Sequence, residues 1–294
     1  MSLTSAELTG TSGLLANANA LNVIGNDLAN SNTIGYKSAT TLFSDMLSQS
    51  IGNNSQVGTG VKVQAVVNNF TQGSLESTTN VTDLAIQGNS FFALGKPNGN
   101  AAVAQNSAYL TRAGSFSVDS SLHLVNPDGY QVLDTSGNPI KFNDSGTSPP
   151  TPGDFSKITN IGTNGAITYQ DKLGNTYYYN TSGVIGTTTF TAGANNVIAI
   201  VTPPNPEGLV KVGGTLFTAG TSGVPAAGFS NTAGSANIAN GNSQQLLSNE
   251  LELSNVDMAS ALVNMLTTQR AYSANSKTIT TAYQMVQTAL TLVQ

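Results

Sequence analysis

The C-terminal end of the chain carries a long row of mainly apolar positions that advances by alternating steps of four and three residues. The row comprises Met258, Leu262, Met265, Gln269, Tyr272, Ser276, Ile279, Tyr283, Val286, Leu290 and Val293. Only Gln269 and Ser276 are polar, and neither Gly nor Pro interrupts the row. A 3.5-residue repeat of this length is typical of the seam of a supercoiled α-helix. Because a single helix cannot bury such a seam, we expect a partner helix.

A second helix is predicted near the N-terminus, over residues 3–30. One of its faces holds five apolar positions spaced by three or four residues, namely Leu14, Ala18, Leu21, Ile24 and Leu28. Gly10, Gly13 and Gly25 each lower its intrinsic helicity by about 1 kcal/mol relative to Ala, so the helix should form by packing. The C-terminal seam is its natural partner, and the Asn-rich segment before Gly35 predicts where the helix ends.

Both terminal segments are almost free of charge. The charged residues before position 37 and after position 252 are Glu7, Asp27, Asp257, Arg270 and Lys277. Solvent-exposed coiled coils usually carry Glu and Lys beside the seam, whereas Ser, Thr, Asn, Gln and Ala fill those positions here. A helix that is neutral all round favours packing against several neighbours. The pattern therefore favours a multi-subunit assembly, and a simple intramolecular hairpin is the alternative.

The middle of the chain has the two-residue periodicity of β-strands. Residues 38–75 look extended, and the alternation of apolar residues over 61–67 predicts a strand there. Further strands are predicted at 84–86, 91–94, 109–118, 122–125, 157–161, 166–169, 176–180, 187–191 and 196–202. The stretch 145–154, rich in Pro, Ser, Thr and Gly, is predicted to be a loop. The predicted fold class is α+β, with paired N- and C-terminal coiled-coil-type helices flanking an inserted all-β domain.

The composition mainly excludes classes of binding partner and of functional site. Of the 294 residues 39% are apolar, which is enough for a core, but only 9% are charged. The net charge of −5 argues against binding to nucleic acid or anionic membranes, since both need a basic face. The chain has no Cys, which rules out disulfides and thiolate metal sites. It also lacks an apolar run of about eighteen residues and the pattern of a secretory signal peptide.

Candidate catalytic groups are scarce. His123 is the only histidine, and it alternates with two leucines in a predicted strand, so we expect it to face solvent and predict no catalytic residues. Asp119, Asp128 and Asp134 lie in predicted turns, where Asp favours local hydrogen bonds, and their spacing is not that of a calcium-binding loop. Tyr177–Tyr179 alternate between the faces of a strand and form no stacking surface for bases. We therefore predict neither a cofactor nor a metal site.

Several strings of the sequence resemble one known family. Residues 21–37 have the sequence LNVIGNDLANSNTIGYK, which resembles the N-terminal signature of the flagellar rod and hook axial proteins. Similar segments follow in the same order, and they are Asp83–Gly88 with Phe91–Phe92, Thr111–Phe116, Asn205–Leu209, Ser254–Asp257, Asn264–Arg270 and Asn275–Ile279. The collinear match covers both ends of the chain and most of its middle.

The resemblance implies a structural subunit of the bacterial flagellar hook, a hollow flexible tube outside the cell that transmits motor torque to the filament. The short link between residues 47 and 57 is similar to that of hook proteins. A distal rod subunit of the basal body is the alternative within the family, and a secreted β-rich adhesin or surface-layer protein is the alternative outside it.

The resemblance also implies partners and a route of export. The implied partners are further copies of the chain, the distal rod protein, the hook cap protein, the hook–filament junction proteins and the flagellar type III export apparatus. Neither nucleic acid nor membrane insertion is expected, and export would occur without cleavage of a signal peptide.

The chain is expected to divide into three parts. Residues 1–36 and 241–294 would form one discontinuous inner-core domain, and residues 37–75 an extended linker or hairpin. Residues 76–240 would form a β-rich outer domain, with room for a small insertion at about 145–199.

Two groups of residues are predicted to form the assembly interface. The N-terminal group consists of Leu14, Leu21, Ile24, Asn26, Leu28, Ala29, Asn30, Thr33, Gly35 and Tyr36. The C-terminal group consists of Met258, Leu262, Met265, Gln269, Tyr272, Ile279, Tyr283, Val286, Leu290 and Val293. We expect the seam to drive assembly. A charge introduced at Ile279 or Val286 would then be buried at the seam, at a high cost in free energy unless it reached water.

Overall fold

The computed structural model of the chain divides into two units. It describes residues 3–47, 49–52, 55–96, 108–145, 151–181, 184–191, 196–219 and 244–291. Unit 1 consists of Met1–Ser31, Ser38–Asn69 and Val256–Gln294, so it contains both terminal segments. Unit 2 consists of Asn32–Lys37 and Phe70–Asn255.

Two long helices dominate unit 1. Helix α1 spans Leu3–Ala29 and helix α2 spans Met258–Thr291, which confirms the helices predicted at the two ends of the sequence. Asp257 acts as the N-cap of α2, since its carboxylate accepts hydrogen bonds from Ala259 N at 3.0 Å and from Ser260 Oγ at 2.6 Å. No Gly or Pro lies within α2, so nothing in its sequence breaks the helix.

Small residues line the contact between α1 and α2. The buried positions of α1 include Gly10, Gly13, Ala16 and Ala20. A Cβ atom added to Gly10 would lie 2.8 Å from Ile279 Cγ1, and one added to Gly13 would lie 2.7 Å from Asn275 Nδ2. Both distances are shorter than a normal contact. The same glycines that weaken α1 as an isolated helix therefore allow the two backbones to approach closely.

The face of α2 that contacts α1 differs from the predicted seam. The least exposed positions of α2 are Ala261, Met265, Thr268, Asn275, Ile279 and Ala282. Met265 and Ile279 belong to both rows, and each of the other four positions lies one residue before a predicted seam position. The predicted row follows the large apolar side chains of α2, whereas the observed row includes the small or polar residues Ala261, Thr268 and Asn275. The regular supercoil of the two helices stays a prediction.

Four strands complete the description of unit 1. Strand β1 (Ala39–Asp45) pairs antiparallel with β4 (Val61–Asn68), and β2 (Gln49–Gly52) pairs antiparallel with β3 (Ser55–Val57). The alternation over 61–67 therefore predicted a strand correctly. Half-buried and exposed residues alternate along β4, as expected for a strand with one covered face.

Unit 2 is built mainly from antiparallel strands. Their bounds are β5 Leu75–Ser77, β6 Leu84–Gln87, β7 Phe91–Gly95, β8 Tyr109–Thr111, β9 Ser117–Val118, β10 Leu124–Val125, β11 Gln131–Val132, β12 Phe155–Ile161, β13 Ile167–Asp171, β14 Thr176–Tyr178, β15 Ile200–Val201, β16 Leu209–Gly213, β17 Leu216–Ala219, β18 Gln245–Ser248 and β19 Glu250–Glu252. The largest sheet has the order β16-β17-β8-β7-β11-β10-β9, and β15 also pairs with β7. Strands β12, β13 and β14 form a second sheet, while β18 pairs with β6 and β19 with β5. A 3-10 helix spans Pro206–Gly208.

Aromatic and branched aliphatic side chains fill the core of unit 2. One cluster contains Phe92 and Leu94 from β7 together with residues of the neighbouring strands, all buried. On the other face of β7, Phe70, Phe91 and Phe217 meet edge to face with ring centroids 5.3–5.9 Å apart. Such aromatic pairs add about 1 kcal/mol each beyond the burial of their area. Unit 2 therefore has an apolar core of its own.

The expectation that His123 faces solvent is wrong. Leu122 has a φ of +64°, a left-handed conformation that breaks the two-residue alternation of the strand. His123 is consequently buried, and its Nδ1 lies 3.7 Å from Asp119 Oδ2. Burial lowers the pKa of His123, Asp119 opposes this shift and Lys141 adds to it. The imidazole therefore favours its neutral form, and it is one of the buried side chains of unit 2.

Two strand predictions also differ from the structure. The predicted strand 109–118 is interrupted between β8 and β9, where Gly114 lies directly against the backbone oxygen of Leu84. Further along, Thr187 forms a single bridge with Tyr178, and the strand predicted around it is absent from the described residues. At Gly114 the close contact with Leu84, thirty residues earlier, is a tertiary effect that residue type alone does not reveal.

Turn aspartates form local hydrogen bonds, as predicted. Asp119 Oδ1 accepts a hydrogen bond from Ser121 N at 2.9 Å, and Asp134 Oδ1 accepts hydrogen bonds from Ser136 N and Asn138 N, both at 2.9 Å. These bonds are those of Asx turns. Within the described ranges, no three or more of the His, Asp and Glu residues come together in a way that could hold a metal ion.

Substitutions at two glycines of α1, one in open space and one against α2, test the helix contact. Nothing lies within 4 Å of a Cβ added to Gly25, so Gly25→Ala should stabilise α1 by up to about 1 kcal/mol. Gly10→Leu would drive a side chain into Ile279, so we expect a loss of about 1–3 kcal/mol through overpacking. Thermal unfolding followed by far-UV circular dichroism measures both. A Gly10→Leu variant as stable as the wild type would contradict the close contact.

Asp154 should make unit 2 sensitive to acid. Ser145 N donates a hydrogen bond to its Oδ1 and Thr151 N to its Oδ2, both at 2.8 Å. These bonds, with that from the Ser145 backbone the strongest, lower the pKa of Asp154 from 3.8 to about 2. Because the folded pKa is the lower one, this stabilisation is complete above about pH 4 and is lost as the pH falls toward about 2. Thermal unfolding of Asp154→Asn should lack this part of the pH dependence, and an unchanged profile would contradict the assignment.

Candidate assembly surfaces

Helix α2 exposes most of its large apolar side chains. Among its residues with described side chains, Ala282 is the one that is buried. Its large apolar residues that are 37–65% exposed are Met258, Leu262, Val263, Leu266, Tyr272, Tyr283, Met285, Val286 and Leu290. On α1, Leu8 and Leu15 are exposed as well. Folded proteins seldom leave so many large apolar side chains of one element in water, so this surface indicates an interface with another molecule.

The predicted seam residues divide between the α1 contact and this exposed surface. Met265 and Ile279 are half-buried, and Ile279 contacts α1 at Gly10. The exposed members are Met258, Leu262, Gln269, Tyr272, Tyr283, Val286 and Leu290. Val293 lies outside the described residues. Most of the seam is therefore left uncovered by the chain itself.

The predicted N-terminal group is split between the two units. Its members in unit 1 are half-buried or exposed, and they are Leu14, Leu21, Ile24, Asn26, Leu28, Ala29 and Asn30. Thr33, Gly35 and Tyr36 belong to unit 2, where Gly35 and Tyr36 are buried. Gly35 has a φ of +68° and lies against the backbone of Ala113, so a side chain would not fit there. Gly35 and Tyr36 thus contribute to the interior of unit 2, and the role of the whole group in assembly stays a prediction.

A buried ion cluster lies in unit 2. Lys37 Nζ is 2.7 Å from Glu252 Oε1, and Arg112 Nη1 is 3.2 Å from Glu252 Oε2. All three side chains are at most 1% exposed. Burial lowers the pKa of Lys37 and the pKa of Arg112, and in each case the carboxylate of Glu252 opposes the shift. One carboxylate therefore favours the charged form of two buried cations.

Backbone groups complete the ion cluster. Lys37 Nζ donates a hydrogen bond to Thr71 O at 2.7 Å, and Gly73 N donates one to Glu252 Oε1 at 2.9 Å. Arg112 donates two further hydrogen bonds to backbone oxygens at the end of β6 and just after it. The cluster thereby joins five separate segments of the chain, namely Lys37, residues 71–73, residues 86–88, Arg112 and Glu252. It stabilises the interior of unit 2 and offers no surface for a ligand.

A groove of about 400 Å³ runs between α1, β1 and the first turns of α2, all within unit 1. Its lining includes the apolar side chains of Val23 and Ile24. The two charged residues that line it, Asp27 and Asp257, are both acidic. Asp27 fixes the start of β1, because Ala39 N donates to its two carboxylate oxygens at 3.1 and 3.2 Å.

Three family models match the chain. The model described as Flagella basal body rod protein matches residues 8–37, the Flagellar hook protein FlgE/F/G D1 domain matches residues 85–169, and the Flagellar basal body rod FlgEFG protein C-terminal matches residues 247–292. The chain is also 32% identical, over 297 aligned positions that cover 97% of both chains, to the flagellar basal-body rod protein FlgG of Bacillus subtilis. The chain belongs to the flagellar rod and hook protein family. This confirms the resemblance found in the sequence, and the family consists of structural proteins rather than enzymes.

Hook members of the family align differently from the rod protein. The flagellar hook protein FlgE of Salmonella typhimurium is 27% identical over an alignment of 415 positions that covers 96% of this chain and 98% of the hook protein. Because this chain has 294 residues, more than a hundred of those positions have no counterpart in it. The hook protein FlgE of Borreliella burgdorferi is 38% identical over 150 residues, which cover 45% of this chain and 32% of that hook protein.

Within the described residues, neither α1 nor α2 combines the length and the apolar character needed to cross a bilayer.

Glu252→Gln tests the ion cluster, with Glu250→Gln as a matched control in the same strand. Removal of the carboxylate leaves two buried cations without a counter-charge, so the free energy of unfolding of unit 2 should fall by about 3–5 kcal/mol. Glu250 is only half-buried, and its replacement should change that free energy by less than about 0.5 kcal/mol. Denaturant unfolding followed by Tyr fluorescence measures both, since the chain has no Trp. Equal losses in the two variants would contradict the role of the cluster.

Proposed function

We propose that the chain is a distal rod subunit of the flagellar basal body, which polymerises into the hollow tube of the rod. The observation that carries this proposal is the alignment with the Bacillus subtilis rod protein, which covers 97% of both chains. The Salmonella hook protein reaches a similar coverage only through more than a hundred additional positions. The length of this chain thus supports a rod subunit without an extra domain.

The rod proposal differs from the hook function expected from the sequence alone. That expectation depended on the short link between residues 47 and 57, which resembles hook proteins. A single loop carries less weight than agreement along the whole chain, because loops vary in length more than the elements they connect. The hook function is the second candidate, supported by the 38% identity to the Borreliella hook protein over 150 residues.

The exposed side chains of α2 are the proposed assembly surface. Neighbouring copies in a polymer would cover residues such as Leu262, Tyr283 and Leu290, and each Å² of apolar area removed from water contributes about 25 cal/mol. The scarcity of charge on both helices supports this, since few ionic groups have to lose their hydration when copies meet. Assembly of this kind requires no catalytic residue and no cofactor.

The remaining expectations from the family stay part of the proposal. They comprise an inner-core domain formed by residues 1–36 and 241–294, an outer domain formed by residues 76–240, and contacts with neighbouring rod and hook proteins. Delivery by the flagellar type III export apparatus without cleavage of a signal peptide belongs to the same proposal.

Deletion of the gene in its own organism, followed by electron microscopy of purified basal bodies, tests the rod function. We expect basal bodies whose rod is incomplete and which carry no hook, because the hook builds on the distal rod. Reintroduction of the wild-type gene is the control and should restore both structures. Complete rods that lack only the hook would contradict the rod proposal and support the hook function.

A further inference from the structure

The side of α2 that points away from α1 carries both cations of the helix. Val263, Leu266, Arg270 and Lys277 follow one another at steps of 3, 4 and 7 residues, which places them on one face. At about 100° per residue, this far face lies roughly opposite the row that contacts α1. All four side chains are exposed, Val263 by 58% and Leu266 by 55%. In the described part of the chain, neither Arg270 nor Lys277 forms an ion pair.

The groove of unit 1 has the complementary character. Val23, Ile24 and Ala261 contribute apolar surface to it, while Asp27 and Asp257 contribute negative charge. Neither Lys nor Arg is among the described residues that line it. A cation that entered the groove would therefore meet the carboxylates of Asp27 and Asp257, and no Lys or Arg among the described lining residues would repel it.

Arg270 is not among the residues that line the groove of its own unit. Thirteen residues of helix separate it from Asp257, which corresponds to about 20 Å along the axis of α2. The lining residues of α2 nearest to Arg270 in sequence are Thr267 and Thr268, which lie about 60° and 160° around the helix from it. Neither cation of α2 lines the groove of its own copy, so both are available to the groove of a second copy.

We propose that the far face of α2 in one copy of the chain docks against the groove of a second copy, with Arg270 of the first copy paired with Asp257 of the second. We choose Arg270 over Lys277 because Arg270 lies next to the exposed Val263 and Leu266 on the far face. Two apolar side chains and one cation of the first copy would then contact the apolar and acidic residues of the groove in the second. The inference rests on the proposed function, since a polymer supplies the second copy. Beyond that function, the inference specifies the two surfaces through which neighbouring copies contact each other.

The geometry of this contact leads to an open polymer. The far face and the groove are different surfaces of the same unit, so the contact is heterologous: one copy offers the face and the next offers the groove. Each added copy leaves one face and one groove unfilled at the two ends. Heterologous contacts of this kind build helical polymers when the rotation between copies does not close a ring.

Charge reversal in mixed copies tests the pairing. Arg270→Glu sets Glu against Asp257, and Asp257→Arg sets Arg against Arg270, so each variant alone should need a concentration at least about tenfold higher than the wild type to assemble. In an equimolar mixture of the two variants, every contact between unlike copies joins opposite charges. Assembly of the mixture, measured by sedimentation of the full chain, should therefore return to near the wild-type concentration.

Two further variants keep the test independent of folding. Lys62 is exposed on β4, outside both the far face and the groove, so Lys62→Glu makes the same change of net charge and should assemble like the wild type. Asp257→Arg also removes the N-cap of α2, so it weakens the helix itself. Asp257→Asn keeps the capping acceptor, and it should weaken assembly while the helical circular dichroism is unchanged.

The outcomes separate this inference from the proposed function. If Arg270→Glu and Asp257→Asn both assemble at the wild-type concentration, the docking of the far face in the groove is overturned, while a rod subunit that polymerises by other contacts stands. If the wild-type chain forms no assemblies at any concentration, both the docking and the proposed polymer are overturned. Loss of assembly in Arg270→Glu, with recovery in the mixture, supports the pairing.

Discussion

The close contact between α1 and α2 decides which side chains the two helices leave exposed. Gly10 and Gly13 bring the backbone of α1 against Ile279 and Asn275, so short side chains line the α1 side of the contact. The large apolar side chains of α2 lie mostly outside it, and Leu290 is 65% exposed. A helix pair with large apolar residues along its seam would bury those residues between its own two helices. This pair leaves most of them exposed, which is the physical reason to expect contacts between copies.

Unit 2 has the opposite character, because its stabilising interactions are internal. Its strands enclose buried aromatic and aliphatic side chains, and Glu252 holds Lys37 and Arg112 in a cluster with almost no exposure. A buried ion cluster adds little net stability compared with an apolar core of the same volume, since desolvation of three charges offsets their attraction. What the cluster contributes is a fixed arrangement of distant segments. Removal of Glu252 would leave both cations buried without a counter-charge, whereas removal of either cation leaves the other paired with Glu252.

The sequence predicted the helices and much of the sheet, for reasons that particular residues make clear. The absence of Gly and Pro from Met258 to Thr291 and the alternation over 61–67 are local signals, and both elements form as expected. The α1-facing row of α2 was missed because Thr268 and Asn275 carry no hydrophobic signal. The burial of His123 was missed because it follows from the left-handed conformation of Leu122.

Individual side-chain pairs across long sequence separations could not be predicted, although the pairing of the two terminal helices was. Glu252 pairs with Lys37 and Arg112 across 215 and 140 residues, and a single sequence shows only that both cations lie in motifs shared with the family. The proposal of a rod rather than a hook subunit likewise draws on the full length of related proteins, because the local motifs are common to both.

Hydrogen–deuterium exchange of α2, compared between the free chain and its assembled form, tests most directly whether the exposed helix surface is the assembly interface. If neighbouring copies cover it, the amides from Leu262 to Leu290 should exchange much more slowly after assembly, since a covered helix opens less often. The core strand β7 should be equally protected in both states and serves as the internal reference. Assembly without any change in the exchange of α2 would contradict the central claim.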